Sequence, residues 1–157
     1  MKKILVLGFS FMLCLMTSLS SCSSDPNMEE IETPVSDFYF QEPLLAWDAD
    51  QSQVKDYMTG FTLVSSSTYS LIYEGKDCAS SYLYAFSGKD IHLNYVTVAF
   101  DLRFKDQVKD FLDRNYLLQG KTDSNAIYSD ESHSTVITTS ADSQFYLTYM
   151  SYDYMAK

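Results

Sequence analysis

The spacing of apolar residues along the chain predicts two short helices, each followed by several short strands. Val54, Tyr57 and Met58 stand at i, i+3 and i+4, which places three apolar side chains on one face of a helix. The segment 107–112 repeats this spacing. Runs of β-branched and aromatic residues bounded by turn residues predict the strands. These runs cover residues 61–64, 69–73, 82–86, 92–100, 117–119, 126–128, 135–139 and 144–152.

Residues around the first predicted helix indicate where it begins and ends. Asp50 and Gln53 have the spacing of a capping box, and Gly60 is suited to the conformation that terminates a helix. Asp48 and Asp50 also alternate as in a calcium-binding loop, but the glycine and the closing glutamate of that loop are absent. We therefore predict that Asp50 caps the helix.

The helices belong to an internal repeat of about 54 residues. The segment 53–58, Gln-Val-Lys-Asp-Tyr-Met, recurs at 107–112 as Gln-Val-Lys-Asp-Phe-Leu. Shorter matches follow in the same chain order: Phe61 with Tyr116, Leu63 with Leu118, 72–73 with 127–128, and 100–101 with 152–153. We interpret the pattern as a duplication, with chance similarity as the alternative.

The repeat predicts a single domain over residues 37–157, made of units at about 44–101 and 102–155. Neither a ten-residue helix nor an isolated hairpin is stable alone in water, so the helices must pack across the strands. We predict the α+β class: a two-layer domain with an antiparallel sheet, both helices on one face, and one bare face.

Residues 1–21 have the composition of a secretory signal peptide. Lys2 and Lys3 give a positive start, and an apolar run of about 13 residues follows from Ile4 to Met16. Because a membrane-spanning helix needs roughly 18–20 apolar residues, we predict a cleaved signal; an uncleaved anchor is the alternative.

The four residues Leu19-Ser20-Ser21-Cys22 resemble the lipobox of bacterial lipoproteins. The resemblance implies cleavage before Cys22 and acylation of its thiol and its new amino group, for example by palmitate. In that family an aspartate after the cysteine favours the inner membrane, so Ser23 implies a lipid anchor in the outer membrane. The domain would then face the periplasm or the cell surface.

Residues 22–36 are polar and acidic and predict a flexible tether. Their early acidic residues resemble the export signals of some Bacteroides-type surface lipoproteins. A plain solvated linker is the alternative.

With Cys14 removed and Cys22 acylated, only Cys78 remains, which excludes an intramolecular disulfide. We expect Cys78 to be a small, partly buried residue rather than a nucleophile.

The charge balance excludes some partners. The chain has 11 Lys and Arg against 21 Asp and Glu, a net charge of −10. Loss of Lys2 and Lys3 with the signal leaves nine against 21, a net charge of −12. Such an acidic chain is unsuited to binding nucleic acid, and it gives no basic patch for anionic lipids.

Catalytic and metal-binding motifs are sparse. His92 and His133 have no second histidine or cysteine at ligand spacing. The run 130–134 places serine, histidine and carboxylates in a row, which is typical of a hairpin loop rather than of a triad assembled in space. Phosphate-binding and nucleophile-elbow motifs are absent, and the 21 acids single out no glycosidase pair. We therefore predict no enzyme activity, no cofactor and no metal.

Tyrosine is the enriched residue type, with 13 in the chain. Strand alternation puts Tyr82, Tyr84 and Phe86 on one face, and aromatic residues also fall on both faces of the last strand. One set should therefore stay partly exposed on the bare face, where tyrosine is a common contact residue; simple strand propensity is the alternative. The predicted binding residues are Tyr82, Tyr84, Phe86, Tyr95 and Tyr149.

The tandem helix-and-sheet units resemble the fold of beta-lactamase inhibitor proteins and of small outer-membrane assembly lipoproteins. The segment 43–50, Pro-Leu-Leu-Ala-Trp-Asp-Ala-Asp, resembles small Bacteroides-type lipoproteins of unknown function. Neither resemblance implies catalytic residues. The leading hypothesis is a non-catalytic envelope lipoprotein that binds another protein through the sheet face. The alternatives are a glycan-binding accessory lipoprotein and a small hydrolase.

Overall fold

A computed structural model describes residues 38–155, and each of the eight predicted strands has a counterpart there. The helices are α1 (Gln51–Tyr57), α2 (Lys105–Asn115) and α3 (Tyr152–Met155), with a 3-10 turn (Leu102–Phe104) before α2. The strands are β1 (Leu63–Ser66), β2 (Ser70–Glu74), β3 (Ala79–Ser87), β4 (His92–Phe100), β5 (Leu117–Lys121), β6 (Ala126–Ser129), β7 (Thr135–Ala141) and β8 (Phe145–Ser151). The predicted signal peptide, the predicted lipidation site Cys22 and the predicted tether lie outside the described residues.

The strands form one antiparallel sheet in the order β1-β2-β3-β4-β8-β7-β6-β5. Each repeat contributes a four-stranded meander, and the two meanders join through their last strands, β4 and β8. Helices α1 and α2 pack on the same face, where Met58 lies against Tyr84 and Asp113 accepts a hydrogen bond from Tyr128. The predicted two-layer α+β class is confirmed.

The pairing register repeats along with the sequence. Leu63 pairs with Tyr73 and Ser65 with Ile72, across a bulge in β1. The second repeat shows the same pairs and the same bulge 55 residues later: Leu118 with Tyr128, and Gly120 with Ile127. Conservation of the bulge supports the interpretation of a duplicated unit, since a chance similarity would not preserve such an irregularity.

The predicted match of Phe100-Asp101 with Tyr152-Asp153 is wrong by one residue. Leu83 pairs with Thr97 in the first repeat, and the equivalent residue Thr138 pairs with Thr148 in the second. Thr97 of β4 therefore corresponds to Thr148 of β8, an offset of 51 residues between the last strands of the two repeats. Side chains alternate between faces, so an offset of 52 would have exchanged the two faces of the sheet.

The predicted capping box opens α1. The Asp50 carboxylate accepts hydrogen bonds from the backbone N–H groups of Ser52 and Gln53 at 2.8 and 3.0 Å, and the Gln53 side chain accepts from the Asp50 N–H at 2.9 Å. A bond from the Ser52 hydroxyl is the main reason that the pKa of Asp50 lies below its ordinary value. Gly60, at φ +90°, follows the helix as predicted.

An extended segment at residues 38–50, which the sequence pattern did not predict, shares the covered face with the helices. Phe40 and Ala49 are buried in the core, and Phe40 packs edge-on against Phe100 and Phe111 at centroid distances of 5.0 and 5.1 Å. Seven-residue α1 is too short to cover half of an eight-stranded sheet, so this segment completes the second layer.

The hydroxyl groups of buried tyrosines hold this segment. Tyr82 donates to the carbonyl of Gln41 at 2.8 Å, whereas the buried hydroxyl of Tyr149 has no hydrogen-bond partner among residues 38–155. Tyr82→Phe should therefore lower the free energy of unfolding by about 0.5–1.5 kcal/mol, while Tyr149→Phe should leave it unchanged or raise it. Urea unfolding of the two matched variants checks this, and an equal loss in both would contradict it.

The same burial makes stability sensitive to alkaline pH. Burial, with a hydrogen bond to the Asp113 carboxylate, raises the pKa of Tyr128 to about 12, and burial raises the pKa values of Tyr82, Tyr84 and Tyr149. Tyrosines of the unfolded chain ionise near pH 10, so the unfolded state releases protons first. The free energy of unfolding should hold below about pH 9 and fall steeply above about pH 10, with a shallower fall in Tyr82→Phe. A flat profile between pH 9 and 11.5 would contradict this.

Candidate functional site

Four of the five predicted binding residues lie in the core rather than on the surface. Tyr82, Tyr84 and Tyr149 are fully buried, and Phe86 is 2% exposed. The prediction that they form an exposed contact surface is wrong, because α1 and the segment 38–50 cover their face of the sheet. Tyr95 projects to the opposite face and stays partly exposed.

Helices α1 and α2 leave the other face of the sheet uncovered, and α3 contacts this face at one end, where Tyr154 packs against Tyr95. Its central side chains come from six strands and are mostly half-buried against one another rather than by a second layer. We call this surface the open face; its members are Ile72, Leu83, Ala85, Tyr95, Thr97, Ile127, Thr138, Tyr146, Thr148 and Met150. Ile127 of β6 is the most exposed large apolar member at 41%, and the others are partly buried.

The open face has no charge at its centre. Among all eight strands the charged residues are Glu74 and Lys121, each the last residue of its strand. The solvated face of an antiparallel sheet ordinarily alternates polar residues with the buried apolar ones. Aliphatic, tyrosine and hydroxyl side chains take those places here, although the chain as a whole is strongly acidic.

The open face shows approximate twofold symmetry. Thr97 of β4 pairs with Thr148 of β8, and their hydroxyl oxygens lie 3.1 Å apart. Because these threonines occupy equivalent places in the two repeats, the symmetry axis passes between them. The same axis relates Tyr95 to Tyr146, which pair with Ala85 and Ser140 in their own repeats, and it relates Ile72 to Ile127.

The run 130–134 forms the predicted hairpin loop between β6 and β7. Partial burial raises the pKa of Asp130, but hydrogen bonds from Ser132, from the Thr135 N–H and from Ser134 outweigh it and set the pKa below its ordinary value. This carboxylate therefore fixes the turn. The His133 ring contacts Ser129 at 3.0 Å instead, so the loop does not assemble a Ser-His-Asp relay.

The remaining candidates from the sequence are Cys78 and a metal site. Cys78 is buried as a free thiol, somewhat deeper than the partial burial expected from the sequence. Within the described part of the chain, no three His, Cys, Asp or Glu side chains come together in a way that could hold a metal ion.

Comparison with protein-family models, curated proteins and solved structures finds no significant match. Within residues 38–155, no helix has the length and apolar character needed to cross a membrane.

The binding residues predicted from the sequence did not include Tyr146 and Met150, which lie on the open face. The available signal was strand alternation, which places both on the face opposite Tyr149; in the sheet Met150 lies directly opposite Tyr95, and Tyr146 lies opposite Ala99. Because residues directly opposite each other on neighbouring strands share a face, placing Tyr95 on the uncovered face also places Met150 of β8 there.

Proposed function

We propose that this protein is a non-catalytic envelope lipoprotein that binds another protein through the open face. The observation that carries the proposal is an uncovered sheet face of aliphatic, tyrosine and threonine side chains with no charge at its centre. Contiguous exposed apolar surface of this kind is typical of interaction sites. Tyrosine adds ring area and a hydroxyl that finds a partner at the interface.

The chemistry of the surface also defines the partner. A charged partner surface would lose hydration on this face without gaining a counter-ion, so the partner should present an uncharged, partly apolar patch. Aromatic rings and short hydroxyl side chains suit a flat protein surface better than a deep small-molecule cavity.

The lipid anchor belongs to the same proposal. Cleavage after residue 21 and acylation of Cys22 would attach the domain to the outer membrane, on its periplasmic side or at the cell surface, through the tether 22–36. Kinship with small Bacteroides-type lipoproteins, and with the fold of beta-lactamase inhibitor proteins, stays part of this proposal and rests on the motifs at 19–22 and 43–50.

The two cysteines of the mature chain offer a matched test of the anchor. Cys22→Ser should abolish incorporation of labelled palmitate and move the protein from the membrane to the soluble fraction, because no acyl chain would remain. Cys78→Ser should leave both unchanged, since Cys78 is buried in the domain. Labelling that survives Cys22→Ser would contradict the anchor.

Four tyrosines test the open face. Tyr95→Ser combined with Tyr146→Ser should reduce capture of an envelope partner by at least about tenfold, since contact tyrosines are often worth more than 1 kcal/mol each. The control, Tyr39→Ser with Tyr69→Ser, removes tyrosines that are 62% and 61% exposed and lie off the open face.

The readout is quantitative pull-down from envelope extracts followed by mass spectrometry. The partner should be one protein held equally by the wild type and the control and lost from the open-face variant, with all three folded by circular dichroism. Equal capture by all three would contradict the proposal.

A further inference from the structure

A cleft of about 400 Å³ lies at one end of the central strands. Four separate parts of the chain line it: Trp47 and Asp48 before α1, Ser87 and Gly88 where β3 ends, His92 and Asn94 at the start of β4, and Asp153 and Tyr154 in α3. We call it the acidic cleft. Its size suits one side chain or a small molecule of similar volume.

Hydrogen bonds fix the walls of the acidic cleft. The indole N–H of Trp47 donates to the Thr135 hydroxyl at 3.2 Å, which sets the orientation of the ring. His92 Nδ1 lies 3.1 Å from the carbonyl oxygen of Asp48; because a carbonyl only accepts, this nitrogen carries the proton. The Asn94 amide donates to Ser87. The aromatic wall is therefore held in place before any ligand arrives.

The charged side chains that line the cleft are acidic. Asp48 and Asp153 are both exposed carboxylates, and no lysine or arginine is among the described residues that line it. An aromatic ring face and a carboxylate both attract a cation, the first through its quadrupole and the second through its charge. This lining matches a guanidinium or ammonium group.

The acidic cleft is continuous with the open face. Tyr154 lines the cleft, is 44% exposed, and packs against Tyr95 with ring centroids 6.4 Å apart. A protein lying on the open face over Tyr95 would therefore reach the mouth of the cleft.

We infer that the acidic cleft receives an arginine or lysine side chain of the protein that binds the open face. This inference rests on the proposed function and names the partner's chemistry: an uncharged patch bordered by one basic residue. Arginine fits best, since its planar guanidinium both stacks on aromatic faces and pairs with carboxylates.

Trp47 is the only tryptophan of the chain, so its fluorescence reports on the cleft directly. The probes are Nα-acetyl-arginine amide and its neutral analogue Nα-acetyl-citrulline amide, titrated into the full mature chain. The arginine probe should give a saturable change that weakens with added salt, and the citrulline probe should give none. Asp48→Asn with Asp153→Asn should weaken the arginine probe at least about tenfold.

The matched control removes two exposed carboxylates elsewhere, Asp123→Asn with Asp142→Asn, and should leave probe binding unchanged. Equal responses to both probes, or no effect of the cleft variant, would overturn the inference. A saturable response to N-acetylglucosamine in place of arginine would also overturn it and would favour the glycan-binding alternative.

Partner capture separates this inference from the proposed function. The cleft variant should retain less partner than the wild type, by about the factor lost with the arginine probe. If it captures the partner fully while the Tyr95 and Tyr146 variant does not, the basic side chain is excluded and the open-face proposal stands. If the probe binds as expected but open-face variants capture normally, the proposed function fails instead.

Discussion

The burial of tyrosine hydroxyls under the segment 38–50 is the constraint on which the rest of the domain depends. A buried hydroxyl without a partner costs free energy, and in this domain much of the missing hydrogen bonding is supplied by one irregular stretch of backbone. Tyr82 and Tyr57 donate to carbonyls of that stretch, Tyr84 accepts from the Leu44 N–H, and Tyr116 donates to the Glu42 carboxylate at 2.5 Å. The segment is thereby tied to α1 and β3 of the first repeat and to Tyr116, the residue between α2 and β5.

Because the segment 38–50 is fixed in this way, one face of the sheet is covered and the other stays open. The segment leads directly into the capping residue of α1, so the position of the segment also sets where that helix lies on the sheet. Most of the large aromatic residues then fill the covered face, and the opposite face keeps a thinner set of aliphatic, tyrosine and threonine side chains. A surface without central charge, on a chain of net charge −10, is the feature that the lipoprotein proposal uses.

The local sequence pattern was enough to predict the helices and strands, but not which face of the sheet would be covered. The i, i+3, i+4 spacing located α1 and α2, and β-branched and aromatic runs located all eight strands, with β4 matching at both ends. Helix α3 was not predicted, because the last predicted strand, 144–152, ran into its first residue. Alternation also grouped Tyr82, Tyr84 and Phe86 correctly on one face. Which face would be covered depended on residues 38–50, whose extended backbone has neither helical nor strand periodicity, so the binding residues were placed on the wrong side.

Pairing information would have corrected this error. Tyr95 falls on the face opposite Val96 and Val98, which are fully buried, and its neighbour in β8 is Met150. The sequence repeat predicted that the two units share one architecture, but not that they meet at β4 and β8. That junction places Tyr95 and Tyr146 on one surface around the threonine pair. The acidic cleft likewise joins four parts of the chain that only the folded topology brings together.

Chemical footprinting of the tyrosines tests the central claim most directly, namely that the covered-face tyrosines are structural and the open-face tyrosines form the contact surface. The folded protein would be nitrated with tetranitromethane, alone and with its captured partner, and each tyrosine quantified by mass spectrometry. We expect Tyr95 and Tyr146 to react in the free protein and to be protected in the complex, while Tyr82, Tyr84 and Tyr149 stay unmodified in both. Reaction of those three in the folded protein, or equal reaction of Tyr95 and Tyr146 in both states, would contradict it.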